Sequence, residues 1–415
     1  MSTFSEVLRH ETAHLPLRQL RNNECRTPQG KRCELCSASR IDYDTEYTVK
    51  AAALQTFWKE QKLPGTLSPL VRSPQGRYYR TVSKRKVFLT KGKPALGLLG
   101  MNESSSNTFG IEIGDCVIEP KDHSAVYAAV STFIAKSENR ELADLLTYVI
   151  VKGSDKEFTV ILNSVSYAPH DRQMFTTFSK YLTKHVPAVV GVFVFIDPER
   201  SKYYLSGNAA SQKKRQLVLH KLFGNASLFH SVGTKKFLYS PLSFSQTNHS
   251  ILPEFTARAG ALLQLGKKDH LYDLYCGYGL FSLCLADQAA SVTGIEMSRD
   301  SITDAAANAK RQHAAQSRFL ASDISDEALP RFMKHRDGSL KVLLDPPRNG
   351  TKPGVIETLA EYRPDRVVHI FCNIDMLGSE LQRWDESGYA VADAVPFDMF
   401  PGTDEVEIMV GLVPQ

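Results

Sequence analysis

No apolar run in this chain reaches the ~18 residues that a membrane-spanning helix needs, although 42% of its 415 residues are hydrophobic. Residues 1–24 mix charges and lack the apolar centre of a secretory signal. A cytoplasmic protein with no membrane partner is therefore expected. Internal repeats and low-complexity tracts are missing too, so neither a solenoid nor a long disordered tail dominates. Cysteine is sparse, seven in all, and in a cytosolic setting these are not expected to form structural disulfides. Net charge is also small at +5. It is unevenly spread: residues 1–100 carry 18 Lys/Arg against 8 Asp/Glu, and the other 315 residues carry 32 against 37. A basic front segment on a near-neutral body fits a polyanionic partner, or simply a solvated basic surface.

The chain is long enough for two or three domains. Residues 1–120 are basic, turn-rich and cysteine-bearing, with short strand-like runs at Lys86–Leu89 and Ala95–Leu99. Residues 121–240 alternate helical patterns (Ala125–Ala135, Met174–His185) with β-branched runs (Thr147–Lys152, Phe158–Asn163, Val189–Phe195), an α+β module. Residues 241–415 show a regular β-α alternation with short connections. That pattern predicts a parallel, doubly wound sheet, so the fold class is α/β.

The run His270–Leu274 leads through Tyr275-Cys276-Gly277-Tyr278-Gly279 into a predicted helix from Leu280. Glycines there let the backbone approach a nucleoside, and the helix offers free N–H groups. Glu296 closes the next strand and is placed to accept from ribose hydroxyls. Asp323, after a third strand, is placed near an adenine amino group. A nicotinamide cofactor competes with a methyl donor at such a turn. The third glycine of its fingerprint is absent, however, since Ser282 stands there.

Cys25, Cys33 and Cys36 form C-x7-C-x2-C, and Cys116 stands alone. Four thiolates select zinc or an iron–sulfur cluster. A four-cysteine zinc site usually uses two C-x2-C knuckles, and only one is present here. Arg77-Tyr78-Tyr79-Arg80 followed by Lys84-Arg85-Lys86 interleaves aromatics with cations. That composition suits phosphate contact with base stacking, although each residue also reads as an ordinary exposed strand cation.

Several blocks then occur in a telling order: Phe244-Ser245-Gln246-Thr247-Asn248, Asp273 to Gly279, Gly294-Ile295-Glu296, Asp345-Pro346-Pro347-Arg348-Asn349-Gly350, Phe371-Cys372-Asn373, and Asp398-Met399-Phe400-Pro401-Gly402-Thr403 with Glu407. As a set, over residues 240–415, they resemble the RNA uracil-C5 methyltransferases, which make 5-methyluridine in tRNA and rRNA. The resemblance implies S-adenosyl-L-methionine as the methyl donor, Cys372 as nucleophile and Glu407 as general base. It further implies donor or uracil contacts from Gln246, Tyr275, Gly277, Gly279, Glu296, Asp323 and Asp345. Carbon 5 of uracil cannot attack a methyl sulfonium unaided. A thiolate adding to carbon 6 turns the ring into an enolate, and a base must later remove the proton from carbon 5. By themselves, Cys372 also reads as an inert buried cysteine and Glu407 as a surface charge opening the last strand. The chain departs from the family pattern at Ser245, Phe371, Ile374, Met376 and Glu405, the last standing where histidine is usual.

The cysteine spacing resembles the subset of that family that carries a [4Fe–4S] cluster on Cys25, Cys33, Cys36 and Cys116. A structural clip is the expected role, since this route to uracil methylation is redox-neutral. The cluster, and the lack of room for an additional N-terminal barrel, resemble the 23S rRNA branch. A tRNA T-loop uridine is the alternative substrate, and a non-catalytic RNA-binding assembly factor the alternative class. The target base has to leave its stack to reach Cys372, Arg80 is the first choice for a backbone contact, and a monomer is expected.

Overall fold

The structure is a computed structural model that describes residues 2–15, 33, 36–101, 108–154, 156–200, 219–225, 227–333 and 339–415. The chain divides into two compact units, Met1–Arg21 with Ile41–Gly76 and Phe229–Gln415, and Asn22–Arg40 with Arg77–Leu228. Both are interrupted in sequence. The expected front segment 1–120 is therefore shared between them, because its first helices bury their apolar faces in the core of the C-terminal unit.

In the first unit, helix α1 (Phe4–Ala13) packs on α2 (Tyr43–Glu60), with Phe4 and Phe57 edge to face at 5.8 Å. Asp42 caps α2 by accepting from Thr45 N at 2.9 Å. One face of α2 then buries Val49, Ala53, Leu54, Phe57 and Trp58. The sheet of this unit uses strands β10 (His270–Leu274), β11 (Ser291–Glu296), β12 (Ser317–Ala321), β13 (Leu340–Leu344), β14 (Arg366–Phe371), β15 (Tyr389–Phe397) and β16 (Glu407–Pro414), in the order β12-β11-β10-β13-β14-β16-β15. β10 to β14 pair in parallel, as the alternation predicted. β16 instead runs antiparallel to both β14 and β15. The short connection 398–406 cannot make a parallel crossover, so the last strand folds back as a hairpin and inserts between them. Strand order reverses between β10 and β13, and an open α/β sheet binds ligands outside the carboxyl ends of the strands flanking such a point.

In the second unit, the described strands β1 (Val82–Thr90), β2 (Lys93–Met101), β3 (Thr108–Glu112), β4 (Leu146–Ser154), β5 (Glu157–Ser164), β6 (Val189–Ile196) and β7 (Leu219–Gly224) form one sheet, ordered β3-β2-β1-β4-β5-β6-β7. The front-segment strands and the central α+β module thus share a single sheet. Only β5 and β6 pair in parallel among these strands, across a crossover through α5 (Arg172–His185). With α3 (His123–Ile134) and α4 (Arg140–Leu145), α5 covers a core that includes Val130, Leu142, Val149, Val160, Phe178 and Val192. Strands β8 (Leu228–Val232) and β9 (Lys235–Tyr239) pair as a separate two-stranded sheet. Among the described residues no helix is long and apolar enough to cross a membrane.

Candidate active site

The turn after β10 holds Tyr275 at φ 66°, Gly277 at 54° and Gly279 at 87°. A Cβ on Gly279 would lie 3.1 Å from the Phe319 ring, so close packing requires glycine there. A Cβ on Gly277 would meet nothing within 4 Å, and the backbone at that point is open to a ligand. Asp273 serves the scaffold instead. It is buried, and its Oδ2 accepts from Ser282 N at 2.8 Å and Ser282 Oγ at 2.6 Å, which ties β10 to the following helix.

Glu296 is half-buried at the end of β11, with Oε1 accepting from Ser298 N at 2.8 Å. Asp323 is exposed and already engaged by a cation, Lys352 Nζ standing 2.6 Å from its Oδ2. Gln246 is buried in a segment pinned by Asn248, whose Nδ2 donates to Ser73 Oγ at 2.9 Å and to Met399 O at 3.1 Å. That side chain stitches the Gln246 block to the Asp398–Thr403 block.

Cys372 follows β14 and Asp345 follows β13, so both stand at the carboxyl edge of the sheet. Phe371 pairs with Ile408 across β14 and β16, the neighbours of Cys372 and Glu407, and the Glu407 carboxylate lies close enough to push the Cys372 thiol up. Cys372 is half-buried, with Sγ 3.7 Å from Pro346 O. Glu407 is only 3% exposed, and its Oε2 has no hydrogen-bond partner among the described residues. It is therefore not a surface charge. Asn373 Nδ2 donates to Arg348 O at 3.1 Å, joining the Cys-Asn turn to the Pro-Pro-Arg turn.

Burial dominates the electrostatics. It pushes the Cys372 thiol up to about 12, helped by the Glu407 and Asp345 carboxylates and opposed by the Arg348 guanidinium. Burial, then Asp345 and Glu405, holds Glu407 well above the carboxylate range. Asp345 is raised as well, by burial and then by Asp273 and Glu296. The buried Glu407 and the half-buried Asp345 and Cys372 thus act on one another electrostatically, and neutral forms are favoured until a substrate brings new partners.

In the second unit, Cys33, Cys36 and Cys116 join one cluster with Ala38, Tyr79, Ile113, Val117 and Ile118. Cys25 lies outside the described residues, among which no group of three or more His, Cys, Asp or Glu is arranged to hold a metal. Burial and then the Glu119 carboxylate push the Cys116 thiol up, and the Arg85 guanidinium pulls it down. Arg85 is 1% exposed, and its Nη2 donates to Glu119 Oε2 at 2.6 Å. Its Nε and Nη1 are buried without a partner among the described residues, which leaves positive donors for an anion. Arg85 is therefore not among the exposed cations that its sequence context suggested. The period-two alternation of β1 turns Ser83, Arg85 and Val87 inward and leaves Lys84 outside. Tyr79 is likewise buried, whereas Tyr78 is 40% exposed beneath Lys121, whose Nζ lies 4.7 Å from the ring centroid.

A cysteine just after β14 and a buried carboxyl at the start of β16 thus lie at the edge of the sheet that also carries the glycine turn after β10. The sequence profile of the family described as tRNA (uracil-5-)-methyltransferase matches residues 205–414, half of the chain. The chain belongs to that family. It is an RNA (uracil-C5)-methyltransferase. An uncharacterised RNA methyltransferase of Halalkalibacterium halodurans is 25% identical over 393 residues, covering 92% of this chain and 82% of that protein. One from Thermotoga maritima is 25% identical over 391 residues, covering 92% of this chain and 83% of the relative. Among solved structures, the Pyrococcus abyssi tRNA (uracil-54, C5)-methyltransferase in complex with S-adenosyl-L-homocysteine superposes with a TM-score of 0.67. It is 19% identical, over 90% of this chain and 84% of that one, which establishes a shared fold.

For this uracil methyltransferase, sequence reasoning overlooked three charged side chains around the site. Lys352 meets Asp323, Arg348 meets Glu405, and Lys50 is buried against Asp398. Arg348 and Lys352 stand beside motif residues, which was a usable signal. Lys50 gave none, because Glu46 and Lys50 at i,i+4 are the pattern of an exposed helix pair.

Proposed function

We propose that this protein methylates carbon 5 of a specific uridine in 23S rRNA with S-adenosyl-L-methionine, through a covalent adduct on Cys372. The observation that supports the reading is that Cys372 follows Phe371, paired with Ile408, while the buried Glu407 precedes Ile408 and acts electrostatically on the thiol. S-adenosyl-L-methionine would be held by the Tyr275–Gly279 turn with Gln246, Glu296 and Asp323, and it supplies an electrophilic methyl group. The open backbone at Gly277 supports that assignment.

The chain's own groups account for the remaining steps. Cys372 gives its proton to solvent as the uracil enters, and its sulfur forms a bond to carbon 6. The electron pair released to the ring lets carbon 5 take the methyl group, and the donor would leave as the demethylated thioether. Glu407 then removes the proton from carbon 5, the carbon–sulfur bond breaks, and the double bond between carbons 5 and 6 returns. A carboxylate whose pKa is lifted by burial is a better acceptor for a carbon-bound proton than an exposed one. Asp345 would contact the ring or the donor, and Arg348 offsets negative charge beside the sulfur.

Cys33, Cys36 and Cys116, with Cys25, would hold a [4Fe–4S] cluster that clips the turn-rich start of the second unit. Their shared cluster and the uncommitted Arg85 donors support this. RNA contact in that unit falls to Tyr78, Arg80 and Lys84. A tRNA uridine is the second reading, favoured by the name of the matching family. Mapping 5-methyluridine in rRNA and tRNA from cells with and without the gene tests both. Loss of one 23S position supports the first reading, and loss confined to tRNA supports the second.

A further inference from the structure

Lys50 lies on α2, far in sequence from every motif of residues 240–415, yet its side chain is completely buried against the loop that leads to Glu407. Its Nζ stands 2.9 Å from Asp398 Oδ1, 3.0 Å from Glu46 Oε1 and 3.1 Å from Phe400 O. Glu46, one helical turn earlier, accepts from Gly402 N. One turn of α2 therefore grips the loop at a side chain, a carbonyl and an amide. The loop spans 398–406, and its two ends are the cross-strand pair Phe397 and Glu407. Helix α1 adds two contacts near the same chemistry. Phe4 N donates to Asp375 Oδ1 at 2.9 Å, just past Cys372, and Ser5 Oγ donates to Asp404 Oδ2 at 2.8 Å.

A buried ionic set is a costly way to hold a fold, since apolar packing of the same volume is often as stable or more so. Its value lies in fixed direction: each hydrogen bond holds one atom of the loop. We propose that Lys50 is a positioning residue for the base, fixing the 398–406 loop so that the Glu407 carboxylate reaches the proton on uracil carbon 5. This inference rests on the reading of Glu407 as the base. It separates the reaction into two halves. Sulfur addition and methyl transfer use groups on β10, β13 and β14, whereas proton removal depends on the loop that Lys50 holds.

The test uses the full chain with Lys50→Met and Lys50→Arg, and with Glu407→Gln alongside. Melting temperature, donor affinity by calorimetry, formation of methylated covalent complex from labelled donor, and turnover are all measured. Lys50→Met should bind donor and form the methylated complex as the parent does. Its turnover should fall on the order of 10²-fold, the scale of a misplacement of about 1 Å, so that the complex accumulates. Lys50→Arg, which keeps a cation, should recover part of the turnover. Normal turnover in Lys50→Met overturns the proposal. So does a loss of donor binding and adduct formation in step with turnover, which marks a merely structural role. If Lys50→Met does not fold, Asp398→Asn is read by the same criteria, since Lys50 then keeps Glu46 and Phe400 O. Normal turnover in Glu407→Gln instead removes the base assignment. Trapping by Glu407→Gln without trapping by Lys50→Met removes the positioning role alone.

Discussion

Arg348 and Glu405 form an ion pair that links the Pro-Pro-Arg turn to the loop leading into Glu407. The two side chains are 61% and 38% exposed, so the pair adds less than about 1 kcal/mol to stability. Its importance is electrostatic, because Arg348 is the cation that pulls the Cys372 thiol downward against burial and two carboxylates.

Glu405→Gln leaves the Arg348 charge uncompensated, so the Cys372 thiol should ionise more readily. Its alkylation by iodoacetamide at pH 8 should be faster than in the parent, and slower in Arg348→Met. The thiol sits at about 12 in the parent, so the parent rate should keep climbing from pH 7 to 10. A plateau below pH 9, or equal rates in all three proteins, would contradict this ordering. Melting temperatures should hardly move.

Glu407 has a defined pH signature. Burial holds its folded pKa above the unfolded value, so the unfolded chain ionises first as pH rises and stability falls from about pH 4.5 upward. Glu407→Gln removes that penalty. The variant should melt higher than the parent at pH 8, with the gain shrinking as pH drops towards 4.5. A gain that grew on acidification would show that the carboxylate is stabilised where it lies.

Cys372→Ala should abolish methyl transfer and leave donor affinity near normal, because the turn proposed to hold the donor follows β10 and Glu296 closes β11, whereas Cys372 follows β14. Turnover above a few per cent of the parent would place the nucleophile elsewhere.

Anaerobically purified protein should be brown, with roughly four irons per chain and broad absorption near roughly 400 nm. Serine at Cys25, Cys33, Cys36 or Cys116 should diminish both, and serine at Cys276 or Cys284 should not. Colourless protein holding one zinc per chain would keep the ligands and discard the cluster.

Much of this was legible in the sequence because the chemistry is written in contiguous blocks. The apolar runs of β4 to β6, β10 and β14 betray their strands, and Gly277 and Gly279 betray the tight turn after β10. What stayed hidden depends on partners distant in the chain. The 1–120 boundary misplaced α1 and α2, since amphipathic helices do not say which core they cover. The antiparallel insertion of β16 is set by pairing and not by local pattern. Arg85 looked like an RNA-facing cation until its strand phase and Glu119 were known.

The central claim is a covalent Cys372 adduct resolved by Glu407, and the most direct measurement is trapping in Glu407→Gln. The variant is incubated with substrate RNA and labelled methyl donor, separated on a denaturing gel, and the shifted band is digested for mass spectrometry. The expected result is a stable protein–RNA band carrying the label, with 5-methyluridine attached through carbon 6 to the peptide containing Cys372. Normal turnover without such a band, or a crosslink on any other cysteine, would contradict it.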